Sequence, residues 1–194
     1  MKKSKINLAL LAVIIIVLYS CGGNDYVPKP RGYFRIDFPD KKYRSFDSTC
    51  PFVFDYPVYS RIVPDPDPKA EPCWINLEFP RFKGTLHLSY KIVKNNLYQY
   101  FEDAHTFVTK HIPKADAINP IPVSYDSNRV WGLIYDIEGT GVASTYQFCV
   151  TDSAKNFLRG ALYFDVVPNN DSLSPVLDFI KKDIDHLVAT LRWK

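Results

Sequence analysis

TLHLSYKI, residues 85–92, alternates without a break. Leu86, Leu88, Tyr90 and Ile92 share one parity, and Thr85, His87, Ser89 and Lys91 share the other. Successive side chains of an extended chain point to opposite faces, so this is a strand with one buried and one polar face. Upstream, Ile75, Leu77 and Phe79 alternate with Trp74, Asn76 and Glu78, and Phe52, Phe54 and Tyr56 repeat the pattern before Pro57. Earlier still, Phe34, Ile36 and Phe38 alternate with Tyr33, Arg35 and Asp37, and Pro39 ends that run. The proline-rich piece VPDPDPKAEP, residues 63–72, reads as a loop, because proline cannot donate to a ladder.

Downstream the period changes. Leu97, Tyr100, Phe101, Ala104 and Val108 fall on one helical face, which Asn95 or Asn96 can cap and Pro113 closes. Three further strands are expected at 130–138, 145–151 and 157–166, with the turn GTGVA joining the first two. A last helix is expected with Ser174 as its cap, Pro175 in its first position, and Ile180, Ile184, Leu187 and Leu191 along one side. Strands, helix, strands, helix without strict alternation means α+β: an antiparallel sandwich with helices packed on it. The order, ending in Leu-Arg-Trp, looks like the PsbP-like sandwich, a likeness that speaks for fold alone.

A chain of 194 residues with 46% hydrophobic content supports one domain with a real core. Its formal charge of +3 comes from Lys2, Lys3 and Lys5, and the remainder balances at 21 basic against 21 acidic side chains. Binding to phosphate backbones needs an uncompensated basic face, so no nucleic-acid partner is expected.

Those three lysines precede an apolar run from Leu8 to Tyr19. A spanning helix needs about 20 apolar residues, so this shorter run fits the core of a signal segment. Leu18-Tyr19-Ser20-Cys21 resembles a bacterial lipobox, with a bulkier residue at Tyr19 than is usual. The resemblance implies cleavage before Cys21 and acylation of that residue. Two or three acyl chains, at about 0.8 kcal/mol per buried methylene, hold a protein to a bilayer. The expected organisation is a signal peptide at 1–20, a lipidated Cys21 with a polar tether at 21–32, and a single α+β domain at 33–194.

The search for chemistry yields little. Cys50 and Cys73 flank prolines at strand edges, and bridging them is worth roughly 3 kcal/mol, against the alternative of free thiols. Cys149 reads as a half-buried small hydrophobe. His105 and His111 lie about 240° apart on a helix, at about 100° per residue, and His87 has no ligand beside it, so no metal or cofactor is expected. No nucleophile elbow or phosphate-cradling loop occurs, so no catalytic residue is assigned.

YVPKPRGYFRIDFPDKKY at 26–43, CWINLEFP at 73–80 and EGTGVASTYQFCVTDS at 138–153 closely resemble the gliding motility lipoprotein GldD family of Bacteroidetes. The resemblance implies a membrane-anchored, non-catalytic component needed for gliding and for type IX secretion, with protein partners in that machinery. It carries over Cys21 alone. Gly22, with Asp25 as the lone nearby acid, is read as placing the mature domain on the periplasmic side. Asp47-Ser48-Thr49, Asp152-Ser153-Ala154 and Asp171-Ser172-Leu173 resemble an O-glycosylation sequon, with Ser48, Ser153 and Ser172 as acceptors in expected turns. Asp-Ser is also ordinary turn chemistry. The rival readings are an envelope-acting periplasmic enzyme and a small-ligand-binding lipoprotein. Convergent polar groups with shifted pKa values in a cleft would favour the first, and a large apolar pocket the second.

Overall fold

The computed structural model describes Gly32 and residues 35–194; the signal segment, Cys21 and the rest of the tether lie outside the described residues. The first half runs β1 (Tyr43–Asp47), β2 (Phe52–Pro57), β3 (Arg61–Pro64), β4 (Ile75–Phe79), β5 (Gly84–Ile92) and α1 (Leu97–Thr109). The second runs β6 (Ala117–Tyr125), β7 (Val130–Glu138), β8 (Tyr146–Thr151), β9 (Asn156–Phe164), α2 (Asn170–Thr190) and β10 (Arg192–Trp193). A large sheet is ordered β3-β4-β5-β9-β8-β7-β6 and a small one β1-β2-β10. Every pairing is antiparallel.

The alternation of β5 sets the layers. Leu86 and Leu88 are buried and pair with Leu162 and Gly160 of β9. From that face the main core continues into Phe52 and Phe54 of the small sheet and Ile180, Ile184 and Leu187 of α2. Gly160 is where the two central strands make room for an aromatic ring: a Cβ there would stand 2.2 Å from Cε1 of Phe148. On the opposite face a smaller cluster joins Ala104 and Val108 of α1 to Tyr135, Ile137, Cys149 and Phe157. The apolar face of α1 is the one its periodicity predicts.

Several expectations need correction. Residues 35–40 form no strand; Ile36 packs against the main core, Phe38 stacks on Phe179 of α2 at 4.4 Å, and the ladder begins only at Tyr43. Val63 and Pro64 belong to β3, an edge strand, where a proline can stand on the unpaired side. Strand β6 carries Pro120 and Pro122 on the other edge, two residues apart, so both missing amides fall on one side, away from β7. Blunting an exposed edge in this way discourages pairing with another chain.

Helix α2 starts well before Ser174. Asn169 is its cap, accepting from the Ser172 amide, and Pro175 lies inside the helix. Asn170 fastens this start to the GTGVA turn, donating from Nδ2 to the carbonyls of Gly139 (2.7 Å) and Val142 (2.9 Å). Tertiary bonds thus extend the helix through residues that look like turn chemistry.

Candidate functional site

Two polar constellations stand on opposite sides of the large sheet. On the sealed side, Asp183 of α2 is fully buried. A carboxylate taken out of water must be paired and hydrogen-bonded. Lys41 approaches Oδ1 at 2.7 Å, the Tyr43 hydroxyl donates to the same oxygen at 2.9 Å, and the Tyr59 hydroxyl donates to Oδ2. Lys41 also donates to the Phe179 carbonyl at 2.7 Å, with its ammonium 3.4 Å from the centre of that ring. Burial, reinforced by the hydrogen bond to Asp183, pushes the Tyr43 hydroxyl up to about 12 and Tyr59 further the same way. Burial lowers the Lys41 ammonium against the pull of Asp183. The members satisfy one another, and the result is a clasp that ties the segment entering the domain to α2.

The other face of the large sheet is polar over part of its width. One cross-strand row reads Asn76, His87, Ala161, Gln147, Tyr135, and the next includes Ser89, Arg159, Cys149 and Leu133. Helix α1 covers only one end of it, leaving a groove of about 390 Å3 between helix and sheet. Ser89, Phe157 and Arg159 come from the sheet, Tyr100, Asp103 and Phe107 from α1, and Trp74 and Lys91 complete the lining. Lys91 is paired with Glu71 and lies 5.0 Å from the Trp74 ring centre.

Arg159 is half-buried, and burial lowers its pKa. Its Nη2 donates to Oε1 of Gln147 at 2.7 Å, and its guanidinium lies 4.5 Å from the Phe107 ring centre. No carboxylate pairs with it among the described residues. Gln147 is itself 1% exposed, and its Nε2 has no acceptor. Asn76, in the same row and 5% exposed, has an Oδ1 without a donor.

The residues singled out in the sequence fall elsewhere. Cys21 lies outside the described residues. Cys50 and Cys73 are bridged across 23 positions, tying the turn before β2 to the entry of β4. Ser48 and Ser153 lie in bends, whereas Ser172 is in the first turn of α2 and not in the turn expected for it. Cys149 is fully buried instead of half-buried, and burial pushes its thiol up to about 12, far from a reactive thiolate. His87 packs edge-on against Tyr163 at 5.7 Å, and burial lowers its pKa. Among the described residues no three His, Cys, Asp or Glu side chains gather as metal ligands, and no helix is long and apolar enough to cross a membrane.

A family model described as gliding motility lipoprotein GldD matches residues 23–193. The chain belongs to the gliding motility lipoprotein GldD family. Membership in this family makes it a motility-associated lipoprotein of the cell envelope, anchored to a membrane. No curated protein matches the chain. Among solved structures, the solution structure of cyanobacterial PsbP (CyanoP) from Synechocystis sp. PCC 6803 is similar at 13% identity and a TM-score of 0.51. That likeness covers 80% of this chain and 95% of the cyanobacterial one, and it identifies an α+β fold of the PsbP kind.

Arg159, Gln147 and the groove were not singled out by sequence. The available signal was a lone arginine within the apolar strand FLRGALYF, a charge that a sheet interior has to accommodate.

Proposed function

We propose that the chain is a lipid-anchored, non-catalytic accessory component needed for gliding motility and for the type IX secretion system associated with it. Its acyl chains sit on Cys21, and the domain at 33–194 faces the periplasm, where it meets protein components of the machinery. One observation carries this reading: the family match begins at residue 23, two positions after Cys21 of the lipobox-like Leu18-Tyr19-Ser20-Cys21. The non-catalytic part is supported by the clasp around Asp183, whose shifted groups are used up on one another.

Deleting the gene tests the role directly. Spreading and secretion should be lost together, and a deletion strain that glides and secretes normally would refute the proposal. Exchanging Cys21 for serine tests the anchor: processing should stop and metabolic labelling with a fatty acid should disappear. Unchanged labelling would place the lipid elsewhere.

A further inference from the structure

The groove beside α1 is left unused by a purely structural account of the domain. An arginine stays charged at any ordinary pH, and burying a charge without a partner is unfavourable. Arg159 is half-buried, has no carboxylate partner among the described residues, and is held in place by Gln147, by a hydrogen bond to Tyr163 and by the Phe107 ring, none of them charged. Gln147, having given its oxygen to Arg159, leaves an amide nitrogen buried without an acceptor on the same sheet face. Arg159 is left with neutral partners only and the Gln147 nitrogen with none, so a carboxylate is the group this face lacks among the described residues.

We propose that this groove binds a carboxylate carried on an apolar or aromatic body, with Arg159 taking the carboxylate. The planar guanidinium fork matches a carboxylate in two parallel hydrogen bonds. The charge count favours a single negative charge: Lys91 is already neutralised by Glu71, and Asp103 on the α1 wall repels anything more highly charged, such as a phosphate dianion. Tyr100, Phe107, Phe157 and Trp74 offer the body an aromatic enclosure. At about 390 Å3 the groove is at the small end of ligand sites, enough for one or two residue-sized groups. A free organic acid and the acidic end of a polypeptide present the same chemistry. The binding chemistry stands on the groove alone, and the use of that binding in motility rests on the function proposed above.

The test is calorimetric titration of the full-length chain in detergent micelles. The probes are N-acetyl-phenylalanine, its carboxamide, and an acetylated Gly-Gly-Phe peptide as free acid and as amide. Both acids should bind, with each amide at least about tenfold weaker. Arg159→Gln should weaken acid binding by about tenfold or more while circular dichroism and melting temperature hold. Ser89→Phe fills the groove floor, leaves the guanidinium in place and should also abolish binding, which keeps the test decisive if Arg159→Gln fails to fold. A tighter peptide acid points to a polypeptide source and a tighter small acid to a free metabolite. Equal binding of acid and amide, wild-type affinity in either variant, or no binding of either acid overturns the proposal.

Discussion

The two faces of the large sheet use polar residues in opposite ways. On the sealed face, a buried carboxylate is met by three donors, one of them a cation, and the core around it is apolar and aromatic. On the other, a half-buried guanidinium has no carboxylate partner among the described residues and two buried amides lack a partner each. The first arrangement holds the domain together. The second leaves hydrogen-bonding capacity unspent beside a groove, which is what a recognition surface needs. The difference teaches that neither burial nor a lone unsatisfied atom, such as Nε2 of His186 stacked on Tyr43, marks a functional site; unspent polar groups and an unpaired cation gathered beside a groove do.

The comparison can be broken most severely on the sealed face. Phe54→Ala removes a ring with 0% exposure between the sheets and should cost about 3–5 kcal/mol, read as a lowered urea midpoint. A loss below about 1 kcal/mol would mean that this face is not the main core. Asp183→Asn should cost about 3 kcal/mol or more by stranding the Lys41 ammonium, and adding Lys41→Met should recover part of it. If the double variant is no more stable than the single one, the clasp is not built around that ion pair. Replacing Cys50 and Cys73 together by serine should cost roughly 3 kcal/mol through the freed loop.

The clasp also predicts a pH profile. Tyr43 and Tyr59 have raised folded values, so their contribution is complete below pH 10 and is lost as pH rises; for Tyr43 the window runs from 10 to about 12. Lys41 works the other way: its lowered value makes its contribution improve as pH rises through that value towards 10.5, a partial offset. Chemical denaturation of the wild type should therefore weaken above pH 10, and Tyr43→Phe should flatten part of that slope. An unchanged slope would remove Tyr43 from the clasp. The smallest effect is expected on the open face, where Arg159→Gln should move stability by less than about 1 kcal/mol. A larger loss would make Arg159 part of the framework.

Much of this fold was legible from alternation. Strand β7 spans the expected 130–138, and the buried side of α1 is the stripe its spacing predicts. The strands that escaped notice are β1, β3, β6 and β10, which are short, proline-bearing or at the sheet edges. Each owes its extended state to a neighbour's ladder and not to its own pattern. Ile36 and Phe38 misled in the reverse direction, because their alternation was satisfied by packing on the core and on Phe179 of α2 without a ladder. The clasp was hidden for a related reason: Lys41, Tyr43, Tyr59 and Asp183 are separated by up to 142 positions and no local spacing announces them. Arg159 left a trace in its strand, but its missing partner is visible only in three dimensions.

The division of labour between the faces is tested most directly in cells. A deletion strain would be complemented with the wild type, with Lys41→Met/Asp183→Asn, and with Ser89→Phe/Arg159→Gln, all at matched envelope levels. The account predicts that the clasp variant, once folded and attached, restores spreading, while the groove variant attaches normally and does not. Normal spreading with the groove filled and its guanidinium gone would contradict it.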